Sequence, residues 1–105
     1  MNYKEEIKVF KALTDANRLE ILRILTCDKM CNGELLKRLS ICQSTLSHHM
    51  KILVEAKLVR ELKQGKYIFY NLDKRGFDLI DETLNILKNF KLSSPIDFNE
   101  DLKND

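Results

Sequence analysis

The spacing of apolar residues changes at Lys57 and changes back at Asp73, and this constrains the fold more than any other feature of the chain. Up to residue 56 the apolar side chains recur every three or four residues, as they do on one face of a helix. From 58 to 72 that period is lost. Val, Ile, Tyr and Phe gather in two short runs, 58–63 and 66–72, on either side of Gly65. Glycine there supplies the positive φ that a tight hairpin needs. Ile68, Tyr70 and Leu72 share one face of the second run, Lys63 and Lys66 flank the tip, and Arg60 lies further down. The chain is therefore mainly α with a small β-hairpin set between helices.

The helical part divides at its turn residues. A first helix is predicted over 3–13, with Thr14-Asp15 as a stop followed by an N-cap. A second runs through Leu19, Ile21, Leu22, Ile24 and Leu25 to near Cys27-Asp28, apolar enough to be central. A short third helix takes Asn32 as N-cap and includes Leu35, Leu36 and Leu39. Ser40-Ile41-Cys42 is a tight turn, and a fourth helix follows over 43–56 with Cys42 as its N-cap. Two helices joined by so short a turn, with the hairpin after them, form a winged helix-turn-helix in the order α1-α2-α3-α4-β1-β2-α5.

The fourth helix has two unlike faces. Leu46, Met50 and Leu53 recur at i, i+4 and i+7 and make a core stripe. Gln43, Ser44, Ser47 and His48 stand off that stripe near the helix start. They are short or planar hydrogen-bonding groups without net charge at neutral pH. Such a front suits the reading of base edges in a major groove. A hairpin with lysines at its tip is the matching wing.

The fifth helix is predicted over 73–90. Its seam of Phe77, Ile80, Leu84 and Leu87 is wider than a terminal helix resting on a small monomer requires. With Ile7 and Phe10 of the first helix it reads as the interface of a homodimer. The alternative is that it merely covers the core. Residues 1–90 make one domain, and 91–105 read as a polar, flexible tail.

Charge adds little on its own: the formal net value is +2. Residues 91–105 place Asp97, Glu100, Asp101 and Asp105 against Lys91 and Lys103, so the body is more basic than the whole. That fits a polyanion partner and also fits many ordinary domains. Three cysteines cannot all pair internally. With no bilayer-spanning run and no signal-peptide h-region, cytoplasmic residence is expected. No Gly-rich phosphate loop, Walker signature, His-Glu-x-x-His or Cys-x-x-Cys pair is present, which argues against an enzyme.

Three collinear segments carry a resemblance. They are Lys11-Ala12-Leu13-Thr14-Asp15-Ala16-Asn17-Arg18-Leu19-Glu20-Ile21-Leu22, Ser44-Thr45-Leu46-Ser47-His48-His49-Met50-Lys51-Ile52-Leu53, and Gly65-Lys66-Tyr67-Ile68-Phe69-Tyr70-Asn71-Leu72. Over residues 5–90 the chain resembles the arsenic-repressor (ArsR/SmtB) family of bacterial winged-helix metalloregulators. The resemblance implies a homodimeric repressor that sits on a palindromic operator in double-stranded DNA and leaves when an inducer binds. It places Gln43, Ser44, Ser47 and His48 toward DNA, Thr45 and Lys51 on phosphates, and Lys63 and Lys66 along the wing contacts.

The sensing residues depart from the family's pattern. Its best-known arsenic sensors carry Cys-x-Cys at the start of the third helix, whereas this chain has Cys31-Asn32-Gly33. Cys27 and Cys42 are the other thiols that could join Cys31 in holding arsenite, antimonite or another soft metal as inducer, since such ions want several thiolates. A thiol at Cys42, on a helix N-terminus, is also expected to be reactive. The alternative for all three is a small hydrophobic role. The family's zinc positions on the last helix match Lys74, Gly76, Leu87 and Phe90, none of which can ligate zinc. His48-His49 is no metal pair, because adjacent helical residues point about 100° apart; His49 is expected to pack or hydrogen-bond at the helix flank. A repressor sensing oxidants or sulfur species, one sensing nothing, and a protein-interaction module built on the apolar seam remain the competing readings.

Overall fold

The computed structural model describes residues 2–94 and 96. It contains α1 (Lys4–Leu13), α2 (Ala16–Leu25), β1 (Met30–Cys31), α3 (Asn32–Arg38), α4 (Gln43–Glu55), β2 (Val59–Gln64), β3 (Tyr67–Leu72) and α5 (Lys74–Lys88). The expected helices and hairpin are all present. Residues 91–94 and 96 form no helix or strand, and the rest of the tail reading lies outside the described residues.

Local chemistry sets the helix ends. Asp15 accepts the Arg18 amide at 3.1 Å and starts α2, ending the short Thr14-Asp15 break. That amide bond is the first cause of a carboxyl pKa below the ordinary range at Asp15. The N-cap of α3 is Cys31 rather than the predicted Asn32. The Glu34 carboxylate accepts the Cys31 amide at 3.0 Å, while Asn32 turns its side-chain oxygen toward the Ile68 amide at 3.4 Å. An intrinsically strong capping residue has been diverted to hold the third helix on the hairpin.

The sheet has one strand more than the sequence indicates. Met30–Cys31 pairs antiparallel with β3, placing Met30 opposite Tyr70 and Cys31 opposite Phe69. The strand order is β1-β3-β2. Two residues cannot display a period, so β1 carries no sequence signal. In the hairpin Gln64 pairs with Tyr67, leaving Gly65-Lys66 as a two-residue loop with Gly65 at φ +60°. Beyond Val59, β2 is exposed along its length, so the hairpin projects from the body as a wing.

A single core gathers Val9, Ala12, Ile21, Leu22, Leu25, Leu35, Leu46, Met50, Leu53, Leu58 and Val59. The second helix is central as expected, through Ile21, Leu22 and Leu25, while Leu19 on the same helix is 51% exposed.

The junction of α4, wing and α5 is fixed by backbone hydrogen bonds around the buried Ala56, Leu58 and Val59. After α4 the Leu58 amide donates to the Leu53 carbonyl and the Lys57 amide to the Val54 carbonyl, both at 3.0 Å. This is a Schellman close, and its left-handed position is Lys57 at φ +60°, a conformation that costs a non-glycine residue about 1–2 kcal/mol. The Gly76 amide then donates to the Lys57 carbonyl at 2.8 Å. A Cβ at Gly76 would lie 2.7 Å from both the Ala56 and Lys57 oxygens. Neither oxygen can rotate away. Gly76→Ala is therefore expected to lower the unfolding free energy by about 1–3 kcal/mol, read as a lower urea midpoint. An unchanged midpoint would mean that α5 does not approach α4 this closely.

Candidate nucleic-acid interface

The two faces of α4 are separated as its sequence predicts. Leu46 and Leu53 are fully buried and Met50 is 1% exposed. Gln43, Ser44, Ser47, His48 and Lys51 are exposed, and Thr45 is half-buried. Gln43 donates its side-chain amide to the Ser47 hydroxyl at 3.2 Å, one turn along. That bond aligns two groups able to meet a base edge and reduces the rotamer freedom lost on binding.

The wing supplies the charge. Lys63 and Lys66 are exposed, and the Lys66 ammonium lies 5.5 Å from the centre of the Tyr67 ring, which steadies it over the loop. A hollow of about 310 Å3 lies between α4 and the hairpin, with Ser47, Lys51, Glu55, Glu61 and Lys63 among its lining. Lys51 and Lys63 thus approach the same space from the two elements. Uncharged polar side chains of α4, two lysines and the carboxylates of Glu55 and Glu61 thus share one side of the molecule, opposite the buried face of α4.

The start of α4 carries the most perturbed thiol in the molecule. Cys42 is exposed, and its Sγ lies 3.2 Å from both the Ser44 and Thr45 hydroxyls. Those two hydroxyls, and then the Thr45 amide, stabilise the thiolate and bring the pKa down from 9.0 to about 6. At neutral pH the hydroxyls donate to a sulfur anion, so Ser44 and Thr45 are held by it.

A family model described as "Bacterial regulatory protein, arsR family" matches residues 15–61. The arsenical resistance operon repressor of Staphylococcus aureus is 44% identical over 87 residues, 83% of this chain and 84% of that protein. This chain belongs to the arsR family. The transcriptional repressor SdpR of Bacillus subtilis is 30% identical over 82 residues, 78% of this chain and 88% of its own length. Among solved structures, an ArsR-like transcriptional regulator from Rhodococcus sp. RHA1 has a TM-score of 0.75 at 29% identity, covering 82% of this chain and 79% of that one. HlyU from Vibrio cholerae has a TM-score of 0.66 at 32% identity, covering 82% and 94%. The protein is a winged helix-turn-helix, DNA-binding regulator of transcription.

The three thiols stand apart in the fold. Cys27 is exposed in the turn after α2, Cys31 is half-buried at the N-cap of α3, and Cys42 is exposed at the N-cap of α4; all three are free. The seven-residue α3 separates the last two by about 10 Å of helix. Among the described residues no three His, Cys, Asp or Glu side chains are grouped as a metal site. A Cβ at Gly33 would stand 3.9 Å from the Cys31 sulfur, so the position of the missing second thiol is beside Cys31 and open.

Of the expected interface residues, Ile7, Phe10, Leu84 and Leu87 are exposed at 49%, 38%, 43% and 64%. Phe77 packs partly against the core, and Ile80 belongs to it at 9% exposure. Arg18 is a residue that sequence reasoning passed over: it bonds to His49 from 31 positions away. Its one visible mark is a cation next to the cap of an apolar helix, which does not name the partner.

Alkylation by iodoacetamide should find Cys42 the fastest of the three thiols at neutral pH, with half-maximal rate near pH 6 and the fast phase lost in Cys42→Ser. A half-maximum near the ordinary 9.0 would show that the Ser44 and Thr45 hydroxyls do not bind the thiolate.

Proposed function

We propose that this protein is a homodimeric repressor of a palindromic operator that is released by a thiophilic metalloid or metal ion sensed by cysteine. The observation that carries the reading is the front of α4. Gln43, Ser44, Ser47 and His48 are exposed beside Lys51 and the wing lysines, while the opposite face of the same helix is fully buried. Base edges would be read by Gln43, Ser44, Ser47 and His48. Thr45, Lys51, Lys63 and Lys66 would hold phosphates and fix register.

Dimerisation sets the spacing of two such helices. Ile7 and Phe10 of α1 and Leu84 and Leu87 of α5 form an apolar surface on helices that pack together. A second copy of the chain is the occupant that presents two reading helices to one side of a duplex. Each protomer would occupy one half-site.

The inducer assignment draws on relatives named arsenical resistance operon repressors, from Staphylococcus aureus and Staphylococcus xylosus, and on a cadmium resistance regulatory homologue from Staphylococcus aureus. The thiols for a soft ion are Cys31 with Cys27 or Cys42. They begin or precede consecutive helices, so gathering two of them on one ion requires movement of α3 or of the start of α4. That movement would displace the reading helix, which is a direct route from binding to release.

The testing experiment is a mobility shift on the protein's own upstream DNA. Specific binding with a steep salt dependence is expected. Ser47→Ala or His48→Ala should cost about 1–3 kcal/mol and relax specificity, whereas Lys66→Ala should weaken all sequences alike and flatten the salt slope. Binding that ignores sequence, or none at low salt, would favour a protein-interaction module instead. For the inducer, arsenite or antimonite should release the complex, and Cys31→Ser should abolish the release. Gly33→Cys, which places a second thiol beside Cys31, should lower the concentration needed. Release that survives Cys31→Ser would remove that thiol from the site.

A further inference from the structure

Two residues bridge three helices, and DNA reading as assigned above does not use them. His49 is next to His48 in α4 but is turned inward and is 6% exposed. Its Nδ1 lies 3.2 Å from Nη1 of Arg18. A guanidinium can only donate, so Nδ1 accepts, and the ring is neutral with its proton on Nε2. The rest of the Arg18 guanidinium is also committed. Nε donates to the Ala12 carbonyl at 2.8 Å, and Nη2 donates to the Lys11 carbonyl at 3.2 Å. Both carbonyls sit in the last turn of α1, beyond the reach of its internal helix bonds, and the Lys11 carbonyl also accepts the Thr14 amide at 3.2 Å and the Thr14 hydroxyl at 2.8 Å. One side chain near the start of α2 therefore ties the end of α1 to the middle of the reading helix.

We propose that Arg18 and His49 are the positioning joint that seats the reading helix against α1 and α2, and that the joint holds only while His49 is neutral. The proposal rests on the operator-binding reading above and adds a control to it. A proton on Nδ1 would abolish the Arg18 bond and set an imidazolium against a guanidinium. The groups around the ring are Asp15, whose Oδ1 is 4.0 Å from Nδ1, Arg18 itself, and His48, whose ring centre is 5.9 Å away. On the α1 side Lys8 and Lys11, with Glu55 of α4, line the hollow next to Arg18.

Burial is the largest influence on His49 and lowers its pKa below 6.5. Asp15 opposes the shift, while Arg18 and His48 add to it. For a group whose folded pKa is depressed in this way, the unfolded chain takes up protons first. The stabilisation is complete above 6.5 and is lost as pH falls through the folded value. The joint should therefore open on the acid side and loosen α4 where α1, the proposed dimer helix, meets it.

Exposed Cys42 responds with the opposite sign: it loses negative charge on acidification, which favours a polyanion. The comparison of wild type with His49→Asn cancels changes elsewhere in the chain, since Asn offers an oxygen acceptor in place of Nδ1 and does not titrate. The full-length chain is measured on its operator by fluorescence anisotropy at about pH 7.5 and about pH 5.5, and imidazole 15N shifts are recorded on the free protein. Relative to His49→Asn, wild type should lose affinity over that interval, as the competent fraction falls. At the higher pH His49→Asn should bind more tightly than His49→Leu, which leaves Arg18 without an acceptor. The 15N shifts should show His49 protonated on Nε2 alone at the higher pH. Parallel pH profiles for wild type and His49→Asn would overturn the proposal, and so would a His49 Nδ1 protonated at the higher pH. Failure of wild type to bind any operator at the higher pH would instead sink the repressor reading, and the 15N shifts would still decide the state of the joint.

Discussion

Burial of the back of α4 is the constraint on which the rest depends. Leu46, Met50 and Leu53 place three side chains in the core, with 0%, 1% and 0% exposure. Each is worth up to about 1.5–3 kcal/mol relative to solvent, an upper bound because the unfolded chain also buries apolar surface. That energy fixes the rotation of the helix about its axis. Once the rotation is fixed, Gln43, Ser44, Ser47 and His48 have only one direction to face. Function in this chain is thus what is left over when one helix has satisfied its core.

The surrounding elements convert that rotation into a complete face. The Schellman close at Lys57 turns the chain at the end of α4 and launches the hairpin beside it, so that Lys63 comes near Lys51. Gly76 lets α5 start against the same close, so the helix that carries Leu84 and Leu87 is positioned by the helix that carries Ser47. The helix α4, the wing and the apolar seam are therefore coupled through a few backbone hydrogen bonds around residues 56–58 and 76.

Much of this was legible in the sequence. The hairpin announced itself through two runs rich in Val, Ile, Tyr and Phe on either side of Gly65, and the two faces of α4 through the 46, 50, 53 spacing against polar neighbours. Three kinds of feature were not legible. β1 is too short to show a period and exists only because β3 offers it an edge. The cap of α3 went to Cys31 because Glu34 accepts the Cys31 amide while Asn32 turns to Ile68, which propensity alone does not foresee. Arg18 with His49, and Gly76 with Ala56 and Lys57, are contacts between distant positions, and a single sequence does not disclose which residues meet. The same limit applies to the thiols: Cys-x-Cys was visibly incomplete at Gly33, but the space beside Cys31 appears only in three dimensions.

The arrangement of two outward-facing helices on one duplex is tested most directly by guanine N7 methylation protection on the bound operator. Protection should fall in two major-groove patches on one side of the DNA, centred about one helical turn, roughly 34–36 Å, or a whole multiple of it apart, and related by a two-fold axis. Protection in a single patch, or two patches on opposite sides of the duplex, would contradict the account.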